Sequence, residues 1–469
     1  MGNNNTAESR PTRERRRPKT RLQIFKENYL PAIIGCITVI LIVIFLIGSI
    51  VRGIQKAQFR NEMLQQEAEA QREAQNALNA EAEVTISEAM VYAAQFDYQR
   101  AIERIEAFSG DMANYSEMQA NYESYKEAIN NLVLWNDPAA IVNLSFQILM
   151  ADPARCYNNS TYGTSYNRNF VTVDEFQKIL QQLYDNDFIL VDLDDITDGN
   201  GAKELYLPEG KKPLTITQTN VNYYRYMVDS DGDWIPDSNG AGFATKLIIN
   251  ENNMISCEMV DADGSTTTGY YDLVPILESF ITTHPDFSYK GARAILAVTG
   301  YDGIFGYRTS PAAAEKMGQA HYQQELEDAV RIVDKLRELG YDFACYTYEN
   351  EPYGNYTAQQ ISAEMQKWVS EVTPILGETD IFVFSRNSDI ENPNLPYSDE
   401  RFQVLKESGY TRYLGFCDAD QSWFLAGDGY IRIGRILVTG SAMAYTPEWF
   451  SGLFDATTIL DPTRGTVPG

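Results

Sequence analysis

Histidine is almost absent from this 469-residue chain: only His284 and His321 occur, so no site that needs three imidazoles can be built from it. Cysteine is scarce as well. Cys36 falls in an apolar run, and Cys156, Cys257, Cys345 and Cys417 are too few and too scattered for a disulfide framework or a zinc motif. Proline is missing between residues 53 and 137, and glycine is sparse there. Basic residues are outnumbered over most of the chain: beyond residue 29, 30 bases face 62 acids, a net charge of −32. Such a surface repels nucleic acid and anionic lipid. It also argues against docking on anionic wall polymers without bridging cations, and leaves neutral or amino sugars approachable.

One long apolar run is present, from Leu30 to Val51, and it carries no charge. A helix of that length rises about 33 Å, enough to cross a bilayer core. Ahead of it stand Arg10, Arg13, Arg15, Arg16, Arg17, Lys19, Arg21 and Lys26 against three acids; behind it the nearby bases are Arg52, Lys56 and Arg60. That imbalance predicts a cytoplasmic N-terminus and an extracellular C-terminal part. A cleaved signal peptide calls for a shorter apolar core and a small-residue cleavage site, which the residues around Gly48 and Ser49 supply poorly. The opening Met1-Gly2-Asn-Asn-Asn-Thr6 matches the myristoylation pattern, but one acyl chain adds little to a spanning helix.

From residue 53 to about 135 the composition, rich in Ala, Glu, Gln and Arg, predicts helix. Ile86, Ala89, Met90, Ala93 and Ala94, then Ala101, Ile102 and Ile105, recur at helical spacing around Phe96-Asp-Tyr-Gln-Arg100, and this resembles a single tetratricopeptide-like hairpin. A third helix through Tyr122, Tyr125, Ile129 and Leu132 would close a small bundle, read as a spacer in preference to a peptide-binding groove.

After Asn136-Asp-Pro138, short apolar runs alternate with helical patterns, the signature of strands joined by crossover helices. Strands are expected over 141–146, 188–193, 214–217, 294–299, 341–347 and 380–384, and helices over 173–184, 322–339 and 358–369. The expected organisation is a basic cytoplasmic tail over 1–29, a transmembrane helix over 30–51, a helical stalk over 52–136 and an α/β barrel over 137–469. Functional loops belong at the strand C-termini of such a barrel.

The segments 172–180, 207–214, 221–227, 287–293, 299–309 and 339–344 resemble, in order and content, those of polysaccharide deacetylases with the NodB-homology fold, a distorted (β/α) barrel. The resemblance implies a divalent metal held by one Asp and two His, a second Asp as base and a His as acid. Here the first motif reads Thr217-Gln-Thr-Asn-Val221, which puts Thr219 at the base position and Asn220 at the metal carboxylate. The second reads Cys345-Tyr-Thr-Tyr-Glu-Asn350, which puts Tyr346 and Asn350 where histidines belong. Gln147 stands in for a strand-end His, and Phe384-Ser-Arg386-Asn replaces the usual Tyr-Pro-Phe-Gly stretch.

Tyr and Asn are feeble zinc ligands, and Thr219 holds no proton-accepting charge near neutral pH. The expectation is a degenerate deacetylase with no catalytic residues and no cofactor, acting as a membrane-tethered glycan-binding or scaffold module for a cell-envelope glycan or protein. The alternative is an active metal-dependent deacetylase working through non-standard residues, with zinc as cofactor. Tyr223, Tyr224, Tyr346, Tyr348 and Tyr353 are the candidates to stack on sugar rings, against ordinary packing in a chain with 30 tyrosines. Asp229, Asp231, Asp233 and Asp237 resemble an extracellular calcium loop, but Gly240 stands at the twelfth position and Gly232 at the fourth, so a solvated acidic turn competes with that reading. Asp261-Ala-Asp-Gly264 reads as a hairpin turn.

Overall fold

The computed structural model describes residues 18–393, 395–417 and 422–469. Arg10 to Arg17 and the Met1-to-Thr6 match lie outside the described residues. The chain divides into two compact units, Met1–Glu81 and Ala82–Gly469.

In the first unit a short helix, Arg21–Asn28, precedes the start of a 65-residue helix, Leu30–Ala94. Its most apolar stretch has a mean hydropathy of 3.1, and it is long and apolar enough to cross a membrane. The two hydroxyls within that stretch need no outside partner: Thr38 donates to the Ile34 carbonyl and Ser49 to the Phe45 carbonyl, each at 2.8 Å.

The second unit begins with the last turns of that helix, which bury Ala82, Thr85 and Ala89. Phe96, at φ 61°, reverses the chain, and Asp97 caps the helix Tyr98–Glu106. The helix Ser116–Asn130 packs on it, holding Tyr122, Tyr125 and Ile129 of the expected third helix and stopping before Leu132. A backbone bond of 2.7 Å from Lys290 to Gln95 ties this bundle to the barrel.

Seven parallel strands form the barrel: β1 (Val142–Gln147), β2 (Lys212–Thr219), β3 (Ile295–Val298), β4 (Asp342–Cys345), β5 (Ile381–Val383), β6 (Arg412–Phe416) and β7 (Tyr430–Leu437). Each pairs with the next in chain order, and β7 also pairs with β1, which closes the ring. The fold is therefore a closed parallel (β/α) barrel, as the sequence predicts. Register puts Thr217 opposite Ile295 and Ser145 opposite Thr217, so alternate residues share the interior face. Ile295, Ala297, Ala344, Ile381, Val383, Leu414, Ile431 and Ile433 fill that interior. Leu144, Phe146, Leu214, Ile216, Leu296, Phe343, Phe382 and Tyr413 face outward, against the helices. Towards the strand C-termini the interior turns polar, with Ser145, Thr217, Thr219 and Arg435.

Several expected elements change length. The run over 188–193 is a strand only at Phe188–Leu190, because Asp192 caps a helical turn at Leu193–Ile196. The helix from Ala358 stops at Lys367, where a π-turn, Trp368–Val372, begins. Asp261 to Gly264 does make a hairpin turn, within an antiparallel meander inserted between β2 and β3. β6 and β7 were not anticipated.

Candidate functional site at the barrel mouth

The motif positions converge at the C-terminal ends of β1, β2, β4 and β5. Gln147 and Thr219 end β1 and β2 in paired register. Asn220 then takes a left-handed φ of 59° and donates from Nδ2 to Gln147 Oε1 at 3.1 Å. The Tyr224 hydroxyl donates to Asn220 Oδ1 at 2.9 Å and sits 2.8 Å from Thr299 Oγ1. Thr219 donates to the Phe146 carbonyl at 3.2 Å. Tyr346 follows β4 and packs with the interior residues. Asn350, at φ 57°, keeps its Oδ1 enclosed with no partner among the described residues. Arg386 and Asn387 follow β5 at φ 49° and 55°, with exposed side chains.

A metal held by one carboxylate and two imidazoles does not fit these residues. Asn220 and Gln147 spend their amides on each other and on Tyr224, and neither histidine is at the mouth. His284 stacks on Phe280 with ring centroids 4.3 Å apart, and His321 lies 3.7 Å from Glu325 on the helix Gln319–Leu339. Two acids beyond the strand ends are committed elsewhere: Asp302 to Arg225 at 2.8 Å and Asp389 to Arg432 at 2.8 Å.

The tyrosines expected to stack on sugars are a correction. Tyr223 is fully buried and donates to Asp272 at 2.5 Å; Tyr353 is fully buried and donates to Glu364 at 2.9 Å. Tyr346 and Tyr348 are buried too, Tyr348 donating to Glu371. Tyr224 is a buried hub, its ring stacked on Tyr301 at 5.2 Å and on Tyr226 at 5.8 Å. All five rings are buried: Tyr223, Tyr224, Tyr348 and Tyr353 pack in the layer between barrel and helices, and Tyr346 packs in the barrel interior. Exposed aromatics linked by ring contacts to Tyr224 are Tyr162 at 40 %, Tyr226 at 48 % and Tyr301 at 38 %. Tyr162 lies 5.1 Å from Tyr226, so the four rings make one ladder, anchored through Tyr224 on Asn220. Sequence reasoning missed this ladder, although Tyr226 and Tyr301 sit inside segments that it treated as scaffold.

Two buried ions went unforeseen. Asp272 accepts from the Leu149 amide at 2.9 Å, Gln218 at 2.7 Å and Tyr223, and forms no ion pair among the described residues. Burial pushes its carboxyl up to about 6, against the pull of those three donors. Arg435 is 1 % exposed and donates only to neutral groups: Gly415 O at 3.1 Å, Ser145 Oγ at 2.9 Å and Phe384 O at 2.9 Å.

In the acidic loop, carboxylate oxygens of Asp229, Asp231 and Asp237 come within 4.8 Å of one another. Asp233 stands outside that group and accepts from the Ile235 amide at 2.8 Å. The backbone amides of Gly232 and Trp234 cap Asp229, at 2.7 and 2.9 Å. For Asp237 burial works upward, but bonds from Ser230 and nearby amides outweigh it and hold the carboxyl below its ordinary range.

No family model and no curated protein matches the chain. Among solved structures, the Streptococcus pyogenes deacetylase PplD in complex with acetate is 13 % identical, with 70 % of this chain and 100 % of that one covered and a TM-score of 0.37. A de-N-acetylase from Aggregatibacter actinomycetemcomitans is 11 % identical, with 64 % of this chain and 95 % of that one covered and a TM-score of 0.33. Likeness at this level carries no weight for the chemistry of the mouth.

Proposed function

We propose that this protein is a membrane-anchored barrel of the polysaccharide-deacetylase type that faces the cell exterior and holds a glycan at its mouth without hydrolysing it. The observation that carries this reading is where the strain lies. Asn220, Tyr223, Thr347, Asn350, Arg386 and Asn387 all hold left-handed φ values between 49° and 59° at the ends of β2, β4 and β5. Each costs roughly 1–3 kcal/mol, most for the β-branched Thr347, and such strain persists where the surroundings impose it for a purpose. The backbone of a site is present, while the side chains on it are, apart from Arg386, amides and hydroxyls that neither accept a proton at neutral pH nor activate water. Exposed tyrosine rings beside amide donors and acceptors suit sugar rings and their hydroxyls.

Titration of the full chain in nanodiscs with an N-acetylated chitooligosaccharide tests this. Saturable binding should fall at least tenfold in Tyr301→Ala and in Tyr226→Ala; undiminished binding in both variants contradicts it. The cluster of Asp229, Asp231 and Asp237 is further proposed to take calcium, since hard oxygen donors at that spacing suit it.

A further inference from the structure

Past its apolar run, the helix Leu30–Ala94 continues from Arg52 to Glu81 as the rest of the first unit, about 45 Å of helix at 1.5 Å per residue. From Arg52 to Ala77 every residue is exposed, with Ile54 at 52 % and Leu64 at 56 %. Between Arg52 and Ala74 none forms an ion pair among the described residues. A helix wetted on all sides and without such pairs is marginal by itself, so a partner is what would hold it.

The sequence along the helix says which face that partner takes. Alternating steps of three and four residues from Ile54 lead through Ala57, Asn61, Leu64 and Ala68 to Leu78 and meet no charge, because all seven charged residues between 54 and 78 lie off this stripe. In each of the other six phases of the seven-residue repeat, such a stripe meets at least one charge. Continued past Leu78, the same steps give Ala82, Thr85 and Ala89, which are the buried residues of this helix. Where the helix packs inside the second unit, it therefore packs by this face.

We propose that the stripe pairs with its counterpart on a second copy of the chain, as a parallel two-stranded coiled coil from Ile54 to Leu78. The inference rests on the membrane anchoring proposed above, which sets two copies in one bilayer with their helices parallel and level. Ile54 at the first position of the repeat and Leu64 and Leu78 at the fourth is the arrangement that favours two strands. Asn61, at a first position, meets its own counterpart across the axis, where an Asn fixes register and strand number at a cost in stability. The flanks answer one another as well. Glu67 and Arg72 are five residues apart, so they do not face each other along one helix. Across two parallel helices they do, and twodfold symmetry makes the pairing twice. Gln71 also lies on the seam and keeps its affinity low, so the effective concentration supplied by the shared bilayer decides whether it closes.

The test uses the full chain with Cys36→Ser, which removes the one exposed cysteine among the described residues, in vesicles of neutral phosphatidylcholine. Ala68→Cys puts a thiol on the stripe and Gln66→Cys puts one on the opposite face of the helix. Under a mild oxidant Ala68→Cys should form a disulfide-linked dimer at least about tenfold faster than Gln66→Cys. In the Ala68→Cys background, Glu67→Arg sets like charges across the pair and should slow linkage at least about threefold, and adding Arg72→Glu should restore it. Flotation of the vesicles reports the anchoring separately. A chain that floats but links no faster at 68 than at 66, or whose double charge exchange fails to recover what Glu67→Arg removes, overturns the inference and leaves the anchoring in place. A chain that does not float with the vesicles overturns both.

Discussion

Arg464 and Arg435 are equally buried, yet their surroundings differ in kind. Arg464 reaches Glu175 with two of its nitrogens and fills its remaining donors with the Asn167 and Phe170 carbonyls, while Glu175 also accepts from the Thr172 and Asp461 amides. That closed network clasps the end of the chain to the helix Val173–Asp185. Arg435 has the same isolation from water but bonds only neutral groups, and the Asp389 carboxylate, paired with Arg432, acts on it without bonding it. The clasp is a place where every charge is answered inside the chain; the mouth is a place where one is not.

Breaking the clasp should give the largest effect. Arg464→Met leaves Glu175 buried and unanswered, and chemical unfolding of the full chain in detergent should show a loss of about 3–5 kcal/mol. The partner change Arg435→Met removes a buried charge that no carboxylate bonds, so stability should shift by no more than about 1 kcal/mol in either direction. Equal losses in the two variants would erase the distinction drawn between them.

Asp272 sharpens the comparison from the other sign of charge, as a buried carboxylate without a cation. Its folded value of about 6 lies above the ordinary 3.8, so the folded state binds the proton more tightly. The sign follows: this group's contribution is fully present below about pH 4 and is lost as pH rises to about 6, a fall of about 3 kcal/mol. Asp272→Asn keeps an acceptor for Leu149 and Gln218 and should flatten that slope in a series of melts between pH 4.5 and 7. An unchanged slope assigns it to other groups. The smallest effect belongs to the acidic loop, where charge is concentrated at the surface and unpaired. Calcium at ten times its Kd should stabilise the protein by about 1.4 kcal/mol, and Asp231→Ala should abolish the gain; no shift in melting temperature leaves a solvated turn.

Much of the barrel was legible in sequence because β1 to β5 are short apolar runs bounded by turns, and 3.6-residue periodicity marks the helices between them. β6 and β7 were hidden by their own chemistry: Arg412, Arg432 and Arg435 interrupt the apolar pattern, and only ring closure makes their positions interior or lateral. The motif positions Gln147, Thr219 and Asn220 could be placed together from the resemblance, and the structure brings them into contact. Which tyrosines are open could not be read in the same way. Tyr223, Tyr224 and Tyr226 are separated by one or two residues, but the left-handed turn at Tyr223 sends the first two inward and the third out. Burial of that kind is set by packing between segments far apart in the chain, and a local pattern carries no record of it.

The central claim is that the mouth holds a glycan and leaves it intact. Acetate release is its most direct measure, taken at a concentration of N-acetylated chitooligosaccharide that saturates the full chain, with and without added zinc. The account predicts bound ligand and no acetate above the protein-free control in either condition. Zinc-dependent acetate release that survives Asn220→Ala and Asn350→Ala would contradict it and place an active centre elsewhere on the barrel.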